Sequence, residues 1–364
     1  MESKLLNKKK TKFSVADAAL ASLLFVIYNF LFVQIYLGIF PNGAPENSFA
    51  MFALQFLLEA VFLVASITVA LSKKISFSAT GIKKHFNAKM VLLGLCISLV
   101  CLFGFGNITT VFLNILQLCG FTSILGTISI TTFWQYLGYV IASCVAPALF
   151  EELLFRGTIL SGLKELGLKA AVILSALIFT FMHGNPEQTV HQFIIGVVVG
   201  YIFFKTGNLW IGIIVHFFNN FISVTQAYVM TWFVDPATLS APAQITVKGL
   251  VVDVVIAAIL AYVGFEILKW LLKKVFAENE KLNNSVQKIE EEQTILVDGQ
   301  EVVAEMVVEG ANEVVESDVS TASGHTEKPE KQPISAMTIV CFAITGCYML
   351  YEWIGYLLMG FGVI

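Results

Sequence analysis

Residues 49–71 read FAMFALQFLLEAVFLVASITVAL, twenty-three positions with one ionisable side chain, Glu59. As a helix rising 1.5 Å per residue, such a run reaches about 35 Å, enough to cross ~30 Å of hydrocarbon. A water-soluble domain cannot place a run like this on its surface, and the rest of the chain repeats the pattern. Of 364 residues, 57% are hydrophobic and 13% charged, with a mean hydropathy of +0.80. A composition this apolar excludes an ordinary soluble globular protein.

Nine spans are expected, over 15–37, 49–71, 90–116, 131–149, 168–182, 191–204, 209–233, 249–271 and 336–361. The fifth and sixth are short, so the total stands at eight or nine. The expected fold class is an all-α, polytopic transmembrane helix bundle with a disordered acidic insert. The basic start Met1–Phe13 runs into the first span without a small-residue cleavage site, so that helix is expected to be retained. The six cysteines form no CxxC pair and read as small packing residues.

Charge tests the topology. Lys4, Lys8, Lys9, Lys10 and Lys12 precede the first span, and Lys73, Lys74, Lys83, Lys84 and Lys89 fill the second loop. If the spans alternate, Lys164, Lys169, Lys205, Lys269, Lys273 and Lys274 fall on that same side, with Lys248 the exception. The positive-inside rule then predicts a cytoplasmic N-terminus in a multi-pass protein, taken to be of the plasma membrane. Residues 275–335 hold 14 Asp and Glu against 4 Lys and Arg, leaving the remainder mildly basic. Within it, residues 277–333 have no aromatic residue and too few apolar ones to build a core. The expected organisation is N-terminal helices over 1–140, a catalytic core over 141–222, a further helix over 223–275, the acidic cytoplasmic insert over 276–335 and a last helix over 336–364.

Ionisable residues inside spans are costly in hydrocarbon and mark function, pairing or water. Three clusters stand out. Glu151-Glu152-Leu-Leu-Phe-Arg156 ends the fourth span; Glu152 and Arg156, four apart, share a helix face, while Glu151 points about 100° away. Phe179-Thr-Phe-Met-His183 ends the fifth span. His216-Phe-Phe-Asn-Asn220 lies in the seventh, with His216 and Asn220 on one face. A carboxylate to activate water, imidazoles and a carboxamide to stabilise an oxyanion are what peptide hydrolysis requires. One tension remains: alternation puts Glu151 and His183 near opposite faces, which needs a tilted fifth span or a shifted boundary. Glu59 and Asp253 have no evident partner in the sequence, and His191 reads as an interfacial polar residue or part of a cavity mouth. Gly196-Val-Val-Val-Gly200 reads as a close-packing helix face.

The three clusters resemble the EExxxR, FxxxH and HxxxN motifs of the CAAX-protease and bacteriocin-processing (CPBP, or Abi) family of intramembrane proteases. Residues 205–220, KTGNLWIGIIVHFFNN, are similar to that family's approach to its third motif. The resemblance covers roughly 141–222. It implies a catalytic set of Glu151, Glu152, Arg156, His183, His216 and Asn220. Glu151 would be the base that activates water and His183 would help hold that water. Glu152 and Arg156 would order the site, and His216 and Asn220 would face the oxyanion. The family is described both as metalloproteases and as metal-free glutamate proteases, so Glu151, His183 and His216 stand as a possible Zn2+ site if they converge. Some members trim prenylated CAAX proteins and others act on bacteriocin-type peptides. The implied partners are a peptide or membrane-protein substrate and membrane lipid, with no nucleic acid. Two rival readings are an ion-coupled transporter, which should show internal repeats and broken helices, and a catalytically silent immunity or assembly factor.

Overall fold

The structure, a computed structural model, describes residues 12–123, 130–234, 245–296 and 334–364. Among the described residues there are helices and turns and no strand. The helices are α1 (Val15–Ile39), α2 (Phe49–Ser72), α3 (Ala88–Leu118), α4 (Phe133–Leu166), α5 (Leu168–Phe181), α6 (Thr189–Thr206), α7 (Leu209–Met230), α8 (Val247–Leu296) and α9 (Ala336–Gly360). All but α5 are long and apolar enough to cross a membrane. The chain is an integral, multi-pass membrane protein with an all-α fold. Its helix starts follow local chemistry: Ser14, Ser48, Asn87, Thr132, Asn208 and Ser335 each turn a side-chain oxygen onto a free N–H of the first turn.

Alternation of the helices is legible in the contacts at the two ends of the bundle. At one end the start of α1 meets the end of α4, where a Cβ on Gly162 would strike the Ser14 carbonyl and Ala18. The loop between α2 and α3 joins the same end: Leu209 N–H donates to the Gly81 carbonyl, and Trp210 Nε1 donates to the Ile82 carbonyl. Glu278 and Asn279 of α8 bond Asn87, Lys89 and Asn208 there. At the other end Thr122 N–H donates to the Gly360 carbonyl, Tyr139 Oη to Asn47 and Thr231 Oγ1 to the Ile130 carbonyl. Among the described residues, the lysine-bearing loops predicted to share a side do share an end; Lys4, Lys8, Lys9 and Lys10 lie outside them.

Two boundaries differ from the sequence expectation. The fourth span was expected to stop at Leu149, with Glu151 and Glu152 at its end; α4 instead runs to Leu166. The two acids therefore stand in the middle of a helix, possible because Glu152 is neutralised within its own turn and Glu151 lies among partners from other helices. This removes the tension in depth. Glu151 and His183 both lie about sixteen residues from Gly167, which joins α4 to α5 with φ +88°. An antiparallel hairpin with equal arms brings them abreast, and the pairing of Phe155 with Phe179, both about twelve residues from the turn, shows that register (centroids 5.0 Å apart). The second difference is α8. Residues 276–296, expected to open the disordered insert, continue the helix without a break, and 297–333 lie outside the described residues.

Partners appear for residues that the sequence left unexplained. Asn114 Nδ2 of α3 donates to Asp253 Oδ2 of α8 at 2.8 Å. The cysteines of the described residues are all free thiols. The Gly196 face packs as read: a Cβ there would lie 3.0 Å from Ala176 Cβ on α5, so the bare glycine sets how closely α5 and α6 approach. Replacing Gly196 with Leu should therefore wedge apart the hairpin that carries His183, destabilising the protein by about 1–3 kcal/mol. A fall in the thermal unfolding midpoint in detergent, larger than that of Gly200→Leu, is the expected result.

Candidate active site

α4 is not a uniform helix. Val140–Val145 and Leu153–Leu160 are π-helical and flank an α-helical stretch, Ala146–Glu152. Such widened turns recur at functional sites. Pro147 supplies a local cause for the first. Its ring has no N–H and crowds the carbonyl four residues back, that of Ser143. Asn220 Nδ2 of α7 donates to that carbonyl at 2.9 Å, and Gln55 Nε2 of α2 donates to Ser143 Oγ at 2.9 Å. The carboxamide of Asn220 thus ties α7 to the helix bearing the two acids, while its Oδ1 accepts from Asn219 Nδ2.

One turn further along, Glu152 Oε1 accepts two hydrogen bonds. Arg156 Nη1 donates at 2.7 Å, the predicted i,i+4 pair, and His216 Nδ1 donates at 2.9 Å from α7. All three side chains are withdrawn from solvent, with Arg156 1%, Glu152 0% and His216 3% exposed. A carboxylate only accepts, so the bond assigns the proton of His216 to Nδ1 and leaves a lone pair on Nε2 in the neutral ring. That Nε2 stands 3.9 Å from Glu151 Oε2. Gly212, one turn before His216, makes the approach possible: a Cβ there would sit 2.8 Å from Glu152 Oε2 and 2.9 Å from Val199 Cγ1.

Phe179 binds the third cluster to the other two. His183 Nδ1 donates to the Phe179 carbonyl at 2.8 Å, and the two rings meet edge to face. The same Phe179 ring meets His216 with centroids 5.9 Å apart and has the Arg156 guanidinium 4.4 Å from its centre. Arg156 Nε and Nη2 find no hydrogen-bond acceptor, so the aromatic face is what receives that side of the cation. The spacing of four between Phe179 and His183 puts ring and imidazole on one face of α5, beside the Arg156 and His216 side chains.

The predicted residues are therefore assembled from α4, α5 and α7. Glu152, Arg156 and His216 are in direct contact, Glu151 faces His216, His183 adjoins through Phe179, and Asn220 lies one turn beyond His216. The suggested metal set is Glu151, His183 and His216. Both Nδ1 atoms are committed, His183 to a carbonyl and His216 to Glu152, which leaves the two Nε2 atoms as the ring atoms that could ligate. Among the described residues no three His, Cys, Asp or Glu side chains are grouped to hold a metal ion.

Several residues at the site stood outside the three clusters. Glu59 of α2 lies near Glu151, and neither inner carboxyl oxygen has a hydrogen-bond partner. His191 Nε2, at the start of α6, is 3.1 Å from Asn219 Oδ1, extending a polar line from α6 through Asn219 and Asn220 to Ser143. Gln55 and Ser143 hold the base of that line. The signal available for Glu59 was its isolation as the one charge in residues 49–71; for His191 it was a polar side chain opening an apolar helix.

Residues 132–222, about a quarter of the chain and the stretch holding all six predicted residues, match the family model described as Type II CAAX prenyl endopeptidase Rce1-like. No curated protein gives a match, and neither does any solved structure. Over this stretch, which contains the three motifs and the helices that gather them, the chain is similar to the CAAX-protease (CPBP) family.

Proposed function

We propose that the protein is an intramembrane endopeptidase in which Glu151 activates a water molecule for attack on a peptide bond. The observation that carries this reading is the 3.9 Å between Glu151 Oε2 and the free Nε2 of His216. Two lone pairs at that separation can each accept one hydrogen from a single water, holding its oxygen toward a substrate carbonyl. Glu152 and Arg156 keep His216 in the tautomer this needs, since Nδ1 is occupied by Glu152.

In the reaction, water oxygen bonds to the carbonyl carbon while one water proton passes to Glu151. The C=O electrons move onto the oxygen, forming a tetrahedral oxyanion. Asn220 retains one Nδ2 hydrogen beyond that given to Ser143, and this is the donor available to the oxyanion. Collapse restores the C=O, breaks the C–N bond and returns the proton from Glu151 to the leaving amine. His183, held on Phe179 abreast of Glu151, lies at the level where the scissile bond must sit.

The bundle end that collects the start of α1, the α2–α3 loop and the end of α6 is the lysine-bearing one, and the positive-inside rule makes it cytoplasmic. Substrates would reach Glu151 about midway along α4, from the lipid or from that face. Peptides and membrane proteins are the substrate class, and the bilayer of residence is taken to be the plasma membrane.

Three outcomes test this. Terminus-selective mass spectrometry of membranes from cells expressing wild type or Glu151→Gln at equal abundance should show peptide termini that only wild type creates, with the variant down by about 10²–10⁴-fold. Identical termini in both would remove Glu151 from the chemistry and favour the silent-factor or transporter readings. Gly212→Ala should push Glu152 off His216 and slow cleavage about tenfold or more while the protein still folds; an unchanged rate would show that the close approach at Gly212 is not needed. Chelation of divalent metals should leave cleavage intact, whereas loss of cleavage that added Zn2+ restores would overturn the metal-free assignment.

A further inference from the structure

Asn220 is tied to α4, but two residues outside the three motifs govern how its carboxamide is held. An amide turned end for end fills nearly the same volume, so its oxygen and nitrogen are fixed by the partners they meet. The Ser143 carbonyl is the first of these. Pro147 has no N–H to give it, and a carbonyl only accepts, so Asn220 must turn Nδ2 toward it, at 2.9 Å. Oδ1 of Asn220 then faces the other way, where Asn219 Nδ2 stands at 3.2 Å.

Two amide oxygens repel, so Asn219 gives Nδ2 to Asn220 and keeps its own Oδ1 for the next partner. That partner is His191 Nε2, 3.1 Å away at the start of α6. An amide oxygen only accepts, so Nε2 must bear hydrogen, and in the neutral ring the lone pair lies on Nδ1. His191 is thus held in the opposite tautomer to His216, whose Nδ1 donates to Glu152. Asn219 is 4% exposed, so bulk water does not replace a partner lost from this line.

We propose that His191 and Asn219 are positioning residues for Asn220. His191 Nε2–H fixes the carboxamide of Asn219, which in turn holds Asn220 with its remaining Nδ2 hydrogen aimed at the oxyanion. The inference rests on the oxyanion-facing role of Asn220 given above. Ser143 alone decides which end of the Asn220 amide is nitrogen but leaves the group free to swing about that one bond. A second bond, to Oδ1, fixes the amide plane, and the free hydrogen lies in that plane. α6 thereby contributes to the site although none of the three clusters lies on it.

The test uses the full-length protein in lipid and has two arms. In the first, nitrogen NMR with isotope-labelled histidine is recorded at mildly alkaline pH, where an imidazole is neutral. The His191 signals, identified by their loss in His191→Gln, should show hydrogen on Nε2 and none on Nδ1. An Nε2 without hydrogen would reverse the line and overturn the proposal. The second arm follows cleavage of a peptide spanning a terminus that only wild type creates. His191→Gln keeps an N–H donor and should retain most of kcat, whereas His191→Leu should lower kcat about tenfold with KM little changed. Asn219→Asp, which sets an acceptor against Asn220 Oδ1, should lower kcat about 100-fold. Equal losses in folded His191→Gln and His191→Leu would overturn the donor role, as would full activity in His191→Leu or Asn219→Asp. Failure of the underlying reading shows itself separately: wild type, Glu151→Gln and Asn220→Leu would then leave the same termini, and the NMR arm alone would decide the direction of the line.

Discussion

A guanidinium with 1% of its surface exposed, in a helix long and apolar enough to cross a membrane, has to be neutralised where it stands. Arg156 meets this requirement through Glu152 on one side and the face of Phe179 on the other. Because Glu152 also takes the Nδ1 hydrogen of His216, the demand for neutrality in α4 fixes the orientation of a ring in α7. Deleting one partner of a buried ion pair costs about 3–5 kcal/mol, so these residues hold one another in a single arrangement. The rest of the site is built on that rigidity: His216 presents its second nitrogen toward Glu151 because its first is occupied.

Much of this could be read from the chain, for reasons that differ between elements. The spans were legible because hydrocarbon demands length and uniform apolarity, and both are local properties of sequence. The Glu152–Arg156 pair was legible because four residues close one helical turn. The end of α4 was misplaced for a related reason. A run of Glu-Glu-x-x-x-Arg looks like a helix leaving the bilayer, and only the partner helices show that its charges are buried and paired. α8 was underestimated likewise, since its polar continuation past the membrane owes its order partly to Glu278 and Asn279, which grip the α2–α3 loop and Asn208.

Long-range pairings were beyond reach of periodicity. Glu59 lies about ninety residues from Glu151 in sequence, and nothing near either residue announces the other. Asn220 is the opposite case, found through a motif but with a bond the motif does not suggest. Its Nδ2 fills the place of the N–H that Pro147 lacks, so a proline in one helix and a carboxamide in another form a single structural unit. Polar groups in these helices are spent first on satisfying one another.

The equal arms of the α4–α5 hairpin amount to a ruler. Glu151 and His183 are level because each is the same number of residues from Gly167. Adding one residue inside α5 would raise His183 by about 1.5 Å and swing it about 100° around the axis. Residues added at the turn, outside both helices, would leave the level unchanged. Insertions and deletions in this segment should thus be confined to the few positions around Gly167, and the count between the turn and each motif matters as much as the residues that compose it.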